Sequence, residues 1–440
     1  MFQQKLTEIA QKHEIPGMAA GILMGDQIVY ASHGVTNLGN PQPVDEHTLF
    51  HLASITKTFT ATALVRLAAA GRLDLSAPVR RYVPELRLAD PGSTAEITVG
   101  QLLNHTAGLE WNLIDGEQAT LDGFAAELDR LPIIAPPGTR ASYSQAGYNL
   151  AGLVIEKVTG QPYEKVVADL ALRPAGLERT CFGLDEVVRH RFAIGHTADG
   201  DGVPRPATPW AAWPAGMRAN NPGGGIASSV SDLLRWARHH LGSADLHAMT
   251  EPTVPLRAST LGDAFGICWF LRDVGGVRTI GHGGSGNGQF AELLIVPSRD
   301  FAVVSLANAG PAGYPANQEV VGWALADRLG LREREVRPLA YDESRAREIA
   351  GRYELDAMDL EIATDGAGLT LAVGIKPAIR RASEADMPPD YPAATLGLLP
   401  DDEYVITDGG LAGQRGYVTR DAAGAVIGAD LAGRLFRRIR

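Results

Sequence analysis

Cysteine is nearly absent: Cys181 and Cys268 are the full complement of a 440-residue chain. Two thiols cannot build a disulfide scaffold or a multi-cysteine zinc site, and they suit a reducing compartment. Positive charge is in deficit. Forty Lys and Arg against fifty-one Asp and Glu leave a net charge of −11, a poor basis for binding nucleic acid or an anionic membrane. No apolar run approaches the ~20 residues of a membrane span. The amino-terminal segment has helical spacing rather than the continuous apolar core of a signal peptide, so the expected location is the cytoplasm. Lysine is scarce even among the basic residues: Lys5, Lys12, Lys57, Lys157, Lys165 and Lys376 are all there are. Arginine stays charged, so a lysine that must share or lose a proton cannot be replaced by it. Each of the six is worth tracing.

What remains is an ordinary globular composition, 45% hydrophobic and 21% charged, long enough for two or three domains. Helical periodicity predicts helices over 1–15, 54–71, 98–105, 144–160, 229–241 and 316–330, several closed by glycine and opened by Ser or Thr. Met18–Gly34 alternates about Gly25-Asp26 as a hairpin, and 277–282, 289–297 and 300–308 read as successive strands. The Gly-, Pro- and Asn-rich stretch 197–225 is a long loop of the functional kind. Beyond about residue 335 only short alternating runs separated by turn signals remain, which reads as a small all-β unit.

Ser54-Ile-Thr-Lys57 opens the second helix. Three-residue spacing stacks the two side chains on one face. The helix start favours negative charge on the serine oxygen and disfavours a proton on the lysine, as a serine nucleophile requires. The pattern alone is weak: with sixteen serines in the chain it arises by chance roughly one time in five. A capping serine and a solvated lysine are the plain alternatives, although the surrounding helix is too apolar for a surface one. Two rival motifs fail. Gly281-x-Gly283-x-x-Gly286 precedes a strand, not the helix a dinucleotide site needs. Adjacent His239 and His240 point to different helix faces.

His-Leu-Ala-Ser54-Ile-Thr-Lys57-Thr-Phe-Thr, followed by Leu102-Leu-Asn-His105-Thr-Ala-Gly108-Leu109, resembles the serine β-lactamase and penicillin-binding-protein superfamily, and most of all its class C, esterase and D-aminopeptidase branches. The resemblance covers about residues 10–330. It implies an α+β fold: an antiparallel β-sheet flanked by helices plus an all-helical subdomain, over residues 1–335. The remainder, 336–440, is similar to the lipocalin-like barrels appended to some D-aminopeptidases, where a loop could restrict the cleft. Tyr143-Ser144-Gln145 falls where the family carries Tyr-x-Asn. The resemblance makes Tyr143 the proton relay and Gln145 a holder of the substrate carbonyl on an arm one methylene longer. His282-Gly283-Gly284 falls where the family carries Lys-Thr-Gly. His282 would then place a polar or positive group beside the leaving group, and the Ser54 and Ser285 amides would form the oxyanion hole. Gly283, Gly284, Trp210 and Trp213 would border the substrate, although the tryptophans could equally anchor the loop.

The implied chemistry is acyl transfer through Ser54, with its proton taken by the Tyr143–Lys57 pair, and it calls for no metal or organic cofactor. The partner is a small-molecule ester or amide substrate, not nucleic acid or membrane, and a homo-oligomer stays open. Ester, D-amino-acid amide, lactam and transacylation readings share this machinery. Histidine in place of lysine at 282 favours a small ester or amide over a β-lactam. A slow-turnover acyl-binding sensor is the alternative that Gln145 leaves open.

Overall fold

The structure is a computed structural model, and it describes residues 1–112, 119–198, 204–206, 215–334, 336–382, 390 and 392–439. Its spine is an antiparallel sheet of eight strands: β1 (Gly17–Met24), β2 (Gln27–Gly34), β3 (Val254–Ser259), β4 (Gly262–Phe265), β5 (Phe270–Val274), β6 (Val277–Gly286), β7 (Gln289–Val296) and β8 (Phe301–Ala307), in the order β2-β1-β8-β7-β6-β5-β4-β3. Strand β1 joins the two chain regions by pairing β8, with Met18 opposite Ala307 and Met24 opposite Phe301. Every residue of β8 is buried, because helices cover both faces of the sheet. On one face lie α1 (Phe2–Lys12) and α5 (Gly313–Leu329), packed on Met18, Ala20, Val303 and Ala307. On the other lie α2 (Thr56–Ala69), α3 (Gln145–Thr159) and α4 (Val230–Gly242), packed on Ala19, Leu293, Val304 and Leu306. Neighbouring strand residues alternate between the two cores, as the pleat demands.

The predicted helices sit near their expected places, with the predicted caps. Thr98 forms a capping box with Gln101 at Val99–Leu103, Ser144 caps α3 and Ser229 caps α4. Gly160 and Gly330 take the left-handed conformation that ends α3 and α5. Two differences matter for the site. Strands β3 to β5 extend the sheet where short polar segments and Pro255 hid the alternation. Strand β6 runs on to Gly286 instead of stopping at 282, since Gly283, Gly284 and Ser285 keep pairing with Glu292, Ala291 and Phe290.

Eight further strands close into a barrel: β9 (Gly351–Glu354), β10 (Met358–Thr364), β11 (Leu369–Ile375), β12 (Ala394–Leu398), β13 (Glu403–Ile406), β14 (Arg415–Arg420), β15 (Val426–Leu431) and β16 (Arg434–Arg438). Closure comes from β9 pairing β16, Tyr353 opposite Arg438, which leaves no open edge. Its interior holds Leu360, Ile362, Leu371, Tyr404 and Phe436. The barrel docks on the edge of the large sheet: the Arg415 N–H donates to Thr260 Oγ1 at 2.9 Å, and the Asp356 N–H donates to Glu110 Oε2 at 3.2 Å.

Candidate active site

Ser54 lies in a single 3₁₀ turn, Ala53–Ile55, that runs straight into α2. It is therefore not the cap of that helix. Ala53, just before it, holds φ of 45°, a left-handed conformation that costs a non-glycine residue energy and recurs at functional turns. Strand β6 presses against this turn. A Cβ at Gly284 would sit 2.0 Å from the Leu52 carbonyl oxygen and 3.1 Å from the Ser54 nitrogen, so only glycine lets the strand come this close.

Lys57 is buried to the point of zero exposure. Its Nζ has three polar neighbours: Gln145 Oε1 at 2.7 Å, the Gly223 carbonyl at 2.8 Å and Ser54 Oγ at 3.2 Å. Burial lowers its pKa to about 7, with the positive charge of Arg434 adding to the effect and Cys268 opposing it. The two carbonyl oxygens can only accept, so they take two of its N–H bonds. Toward the Ser54 hydroxyl the nitrogen presents a third N–H as an ammonium or its lone pair as a free amine, and a pKa of about 7 makes both forms accessible at neutral pH.

Gln145 commits its amide to the protein. Beyond the bond to Lys57, its Nε2 donates to Asn149 Oδ1 at 3.0 Å and to the Asn220 carbonyl at 3.3 Å. The longer arm thus reaches the lysine rather than the open cleft. Gly223 admits it: a Cβ there would collide with the Gln145 amide at 2.0 Å.

Tyr143 precedes the α3 cap and is 7% exposed. Its ring centre lies 5.0 Å from Lys57 Nζ. Burial pushes its phenol upward, while neighbouring Ser54 and Arg434 pull it down. The phenolic oxygen closes no well-formed hydrogen bond among the described residues. His105 lies tilted against this ring, centroids 4.3 Å apart, and its Nδ1 accepts the Ser144 N–H at 3.1 Å.

His282 stacks on Phe270 at 4.3 Å and lies 6.2 Å, ring to ring, from Tyr143. Its Nδ1 meets the Gly283 carbonyl at 2.6 Å. A carbonyl can only accept, which assigns the proton to Nδ1 and leaves Nε2 as a buried acceptor. Burial, with the Lys57 charge beside it, lowers its pKa to about 3. Of the polar or positive group expected here, the polar one fits and the positive one does not.

The sequence model of the Beta-lactamase family matches residues 2–325. The chain belongs to the Beta-lactamase family. Penicillin-binding protein 4 of Amycolatopsis lactamdurans is 28% identical over 328 residues, which is 71% of this chain and 85% of that one. Two solved structures are similar over the whole chain, barrel included. SurE crystallised with D-Leu gives a TM-score of 0.76 at 24% identity, covering 98% of that chain. The octameric penicillin-binding protein homologue of Pyrococcus abyssi gives 0.68 at 24% identity, covering 99% of that chain.

In this β-lactamase-family member the structure thus brings Ser54, Lys57, Tyr143, Gln145, His282, Gly284 and Ser285 to one cleft. Trp210 and Trp213 lie outside the described residues. Three contributors escaped the sequence reading. His105 stood in a quoted motif but was given no role. Asn149 shows only as one more polar residue on α3. Arg434 comes from the barrel, where nothing local marks it: its guanidinium carbon lies 5.5 Å from the ring centres of both Tyr143 and Trp111.

Proposed function

We propose that this β-lactamase-family chain is a serine hydrolase that acts on a small ester or amide through an acyl-Ser54 intermediate. The observation that carries the reading is the burial of Lys57 beside Ser54 with no carboxylate partner among the described residues. Two carbonyls orient its amine, and Ser54 Oγ lies 3.2 Å from Nζ, where the lone pair of the neutral form can reach it. Lys57 takes the Ser54 proton as Oγ bonds to the carbonyl carbon. The Ser54 and Ser285 amides receive the developing oxyanion. Tyr143 passes the proton to the leaving group as its bond to carbon breaks, with the neutral His282 Nε2 as a nearby acceptor. Water then releases the acyl group.

Two features support substrates of D-configuration as a second reading: relatives named as penicillin-binding proteins, and the full-length likeness to a protein crystallised with D-Leu. The octameric neighbour supports testing for self-assembly. Among the described residues no helix is long and apolar enough to cross a membrane.

The test is hydrolysis of p-nitrophenyl butyrate by wild type and Ser54→Ala, with intact-mass detection of an acyl adduct. Turnover and a mass increase in wild type alone support the reading. Activity retained in the variant would overturn it. If wild type acylates but does not turn over, the sensor alternative takes its place. A panel of D- and L-amino-acid esters and amides then decides stereochemistry.

A further inference from the structure

The turn between β15 and β16, Ala432-Gly433, has positive φ at both residues, 51° and 72°, the geometry of a tight two-residue hairpin. This hairpin leaves the barrel and enters the catalytic cleft. The Gly433 carbonyl accepts the Tyr143 N–H at 2.8 Å, and the Leu435 N–H donates to Ser142 Oγ at 3.3 Å. Leu261 seals the other side, so close that a Cβ on Gly433 would come within 2.2 Å of it. The backbone carrying Tyr143 is therefore bonded to the barrel, not to its own domain alone. Arg434 follows, held against the faces of Trp111 and Tyr143. Two basic groups approach the Tyr143 ring centre: Lys57 Nζ at 5.0 Å and the Arg434 guanidinium at 5.5 Å.

We propose that the barrel completes the acylation machinery: its 431–435 hairpin fixes Tyr143, and Arg434 acts through Tyr143 and Lys57 as a permanent positive charge. Arg434 is a positioning residue, and the proposal rests on the acyl-transfer reading above. A guanidinium cannot give up its charge, and an amine close by can. Beside Arg434, Lys57 lowers its energy by staying neutral, the form that can take the serine proton. The same charge favours negative character on the phenol oxygen as its proton moves to the leaving group.

The other groups around the pair do not cancel this. Facing Lys57 are the neutral Ser54, Gln145 and Gly223 carbonyl, with Tyr148 at 5.4 Å and Cys268, whose thiol burial pushes up to about 12. His105 and His282 are both held neutral by burial. Near Arg434 stand the carboxyls of Glu110 and Asp430, and burial shifts both toward the protonated form.

The experiment is the pH profile of Ser54 acylation by p-nitrophenyl butyrate in the full-length chain, for wild type, Arg434→Gln and Arg434→Lys. Removing the charge lets Lys57 hold its proton to higher pH. The acid limb of the Gln variant should rise by roughly one unit, with about a tenfold lower rate below the limb. The Lys variant should keep the limb close to that of wild type. An unmoved limb in the Gln variant overturns the inference, including when KM rises, which would make Arg434 a substrate contact instead. Should Arg434→Gln fail to fold, Arg434→Met keeps the stem and its ring packing without the charge and is read in the same way. A wild type that is never acylated sinks the acyl-transfer reading itself, and this inference with it.

Discussion

Five of the six lysines meet a carboxylate, and the sixth does not. Lys5 and Lys12, on the amino-terminal helix, reach Glu319 on α5. Lys157 reaches Glu85 and Asp122, Lys165 reaches Asp169, and Lys376 reaches Glu354. Lys57 has no carboxylate among the described residues; its partners are two carbonyl oxygens and a serine. On the surface, water and an anion both favour the ammonium. In the cleft, both are replaced by dipoles that cannot offset the cost of burying a charge. The same side chain is an ion-pair partner in one region and a buried amine of lowered pKa in the other.

The largest test of this contrast is Ser54→Ala. Acyl transfer should fall by roughly 10³-fold or more while the melting temperature stays put; steady-state assay beside calorimetry reads both. Lys57→Arg comes next. It keeps a basic side chain of similar size but fixes a positive charge that cannot be lost, so single-turnover acylation should drop by ~10²–10⁴. An arginine variant with normal acylation would end the case for a neutral base.

Gln145→Glu gives Lys57 the carboxylate that the other lysines have. An anion beside the amine favours its charged form. The acid limb of the rate profile, expected near pH 7 in wild type from the lowered Lys57 value, should then climb by roughly 1–2 units. Rates across pH 6–10 check this, and an unchanged limb would mean that Lys57 does not set it.

The smallest effect belongs to the surface cluster. Burial pushes the Glu319 carboxyl up, but hydrogen bonds from Lys12, His13 and Lys5 outweigh this and lower it from 4.5 to about 2. Its contribution to stability is thus present above about pH 4.5 and lost as pH falls toward 2. The cluster is partly exposed and salt-screened, so Glu319→Gln should cost about 0.5–1 kcal/mol at neutral pH. Urea melts at pH 7 and pH 3 should show the difference between variant and wild type shrink in acid.

Legibility differed along the same line. Ser54 and Lys57 were readable because three residues of helix bring them together whatever surrounds them. The cap at Thr98 was readable for the same reason, and the choice between Ser229 and Ser231 fell to Ser229. Strands β3 to β5 were not, since their register is set by neighbours rather than by their own alternation. Periodicity ended β6 at 282 because glycines carry no alternation; Gly283 and Gly284 stay extended through pairing with Glu292 and Ala291. Gln145 was singled out by its place after Tyr143 but not in what it binds: the direction of its amide depends on Gly223 leaving room.

By itself the sequence determined a family, a serine–lysine pair three residues apart, a tyrosine ahead of a helix and an all-β tail. These rest on short-range geometry and on motif order. Only the tertiary structure decided that Lys57 is buried with a lowered pKa, that His282 presents an unprotonated nitrogen, and that a barrel hairpin bonds the backbone at Tyr143. Ser142 and Leu435 are 293 residues apart in the chain, and no local pattern records which charges folding will bring together or strip of water. Electrostatic character depends on that through-space company, so it emerges only once the chain has closed around it.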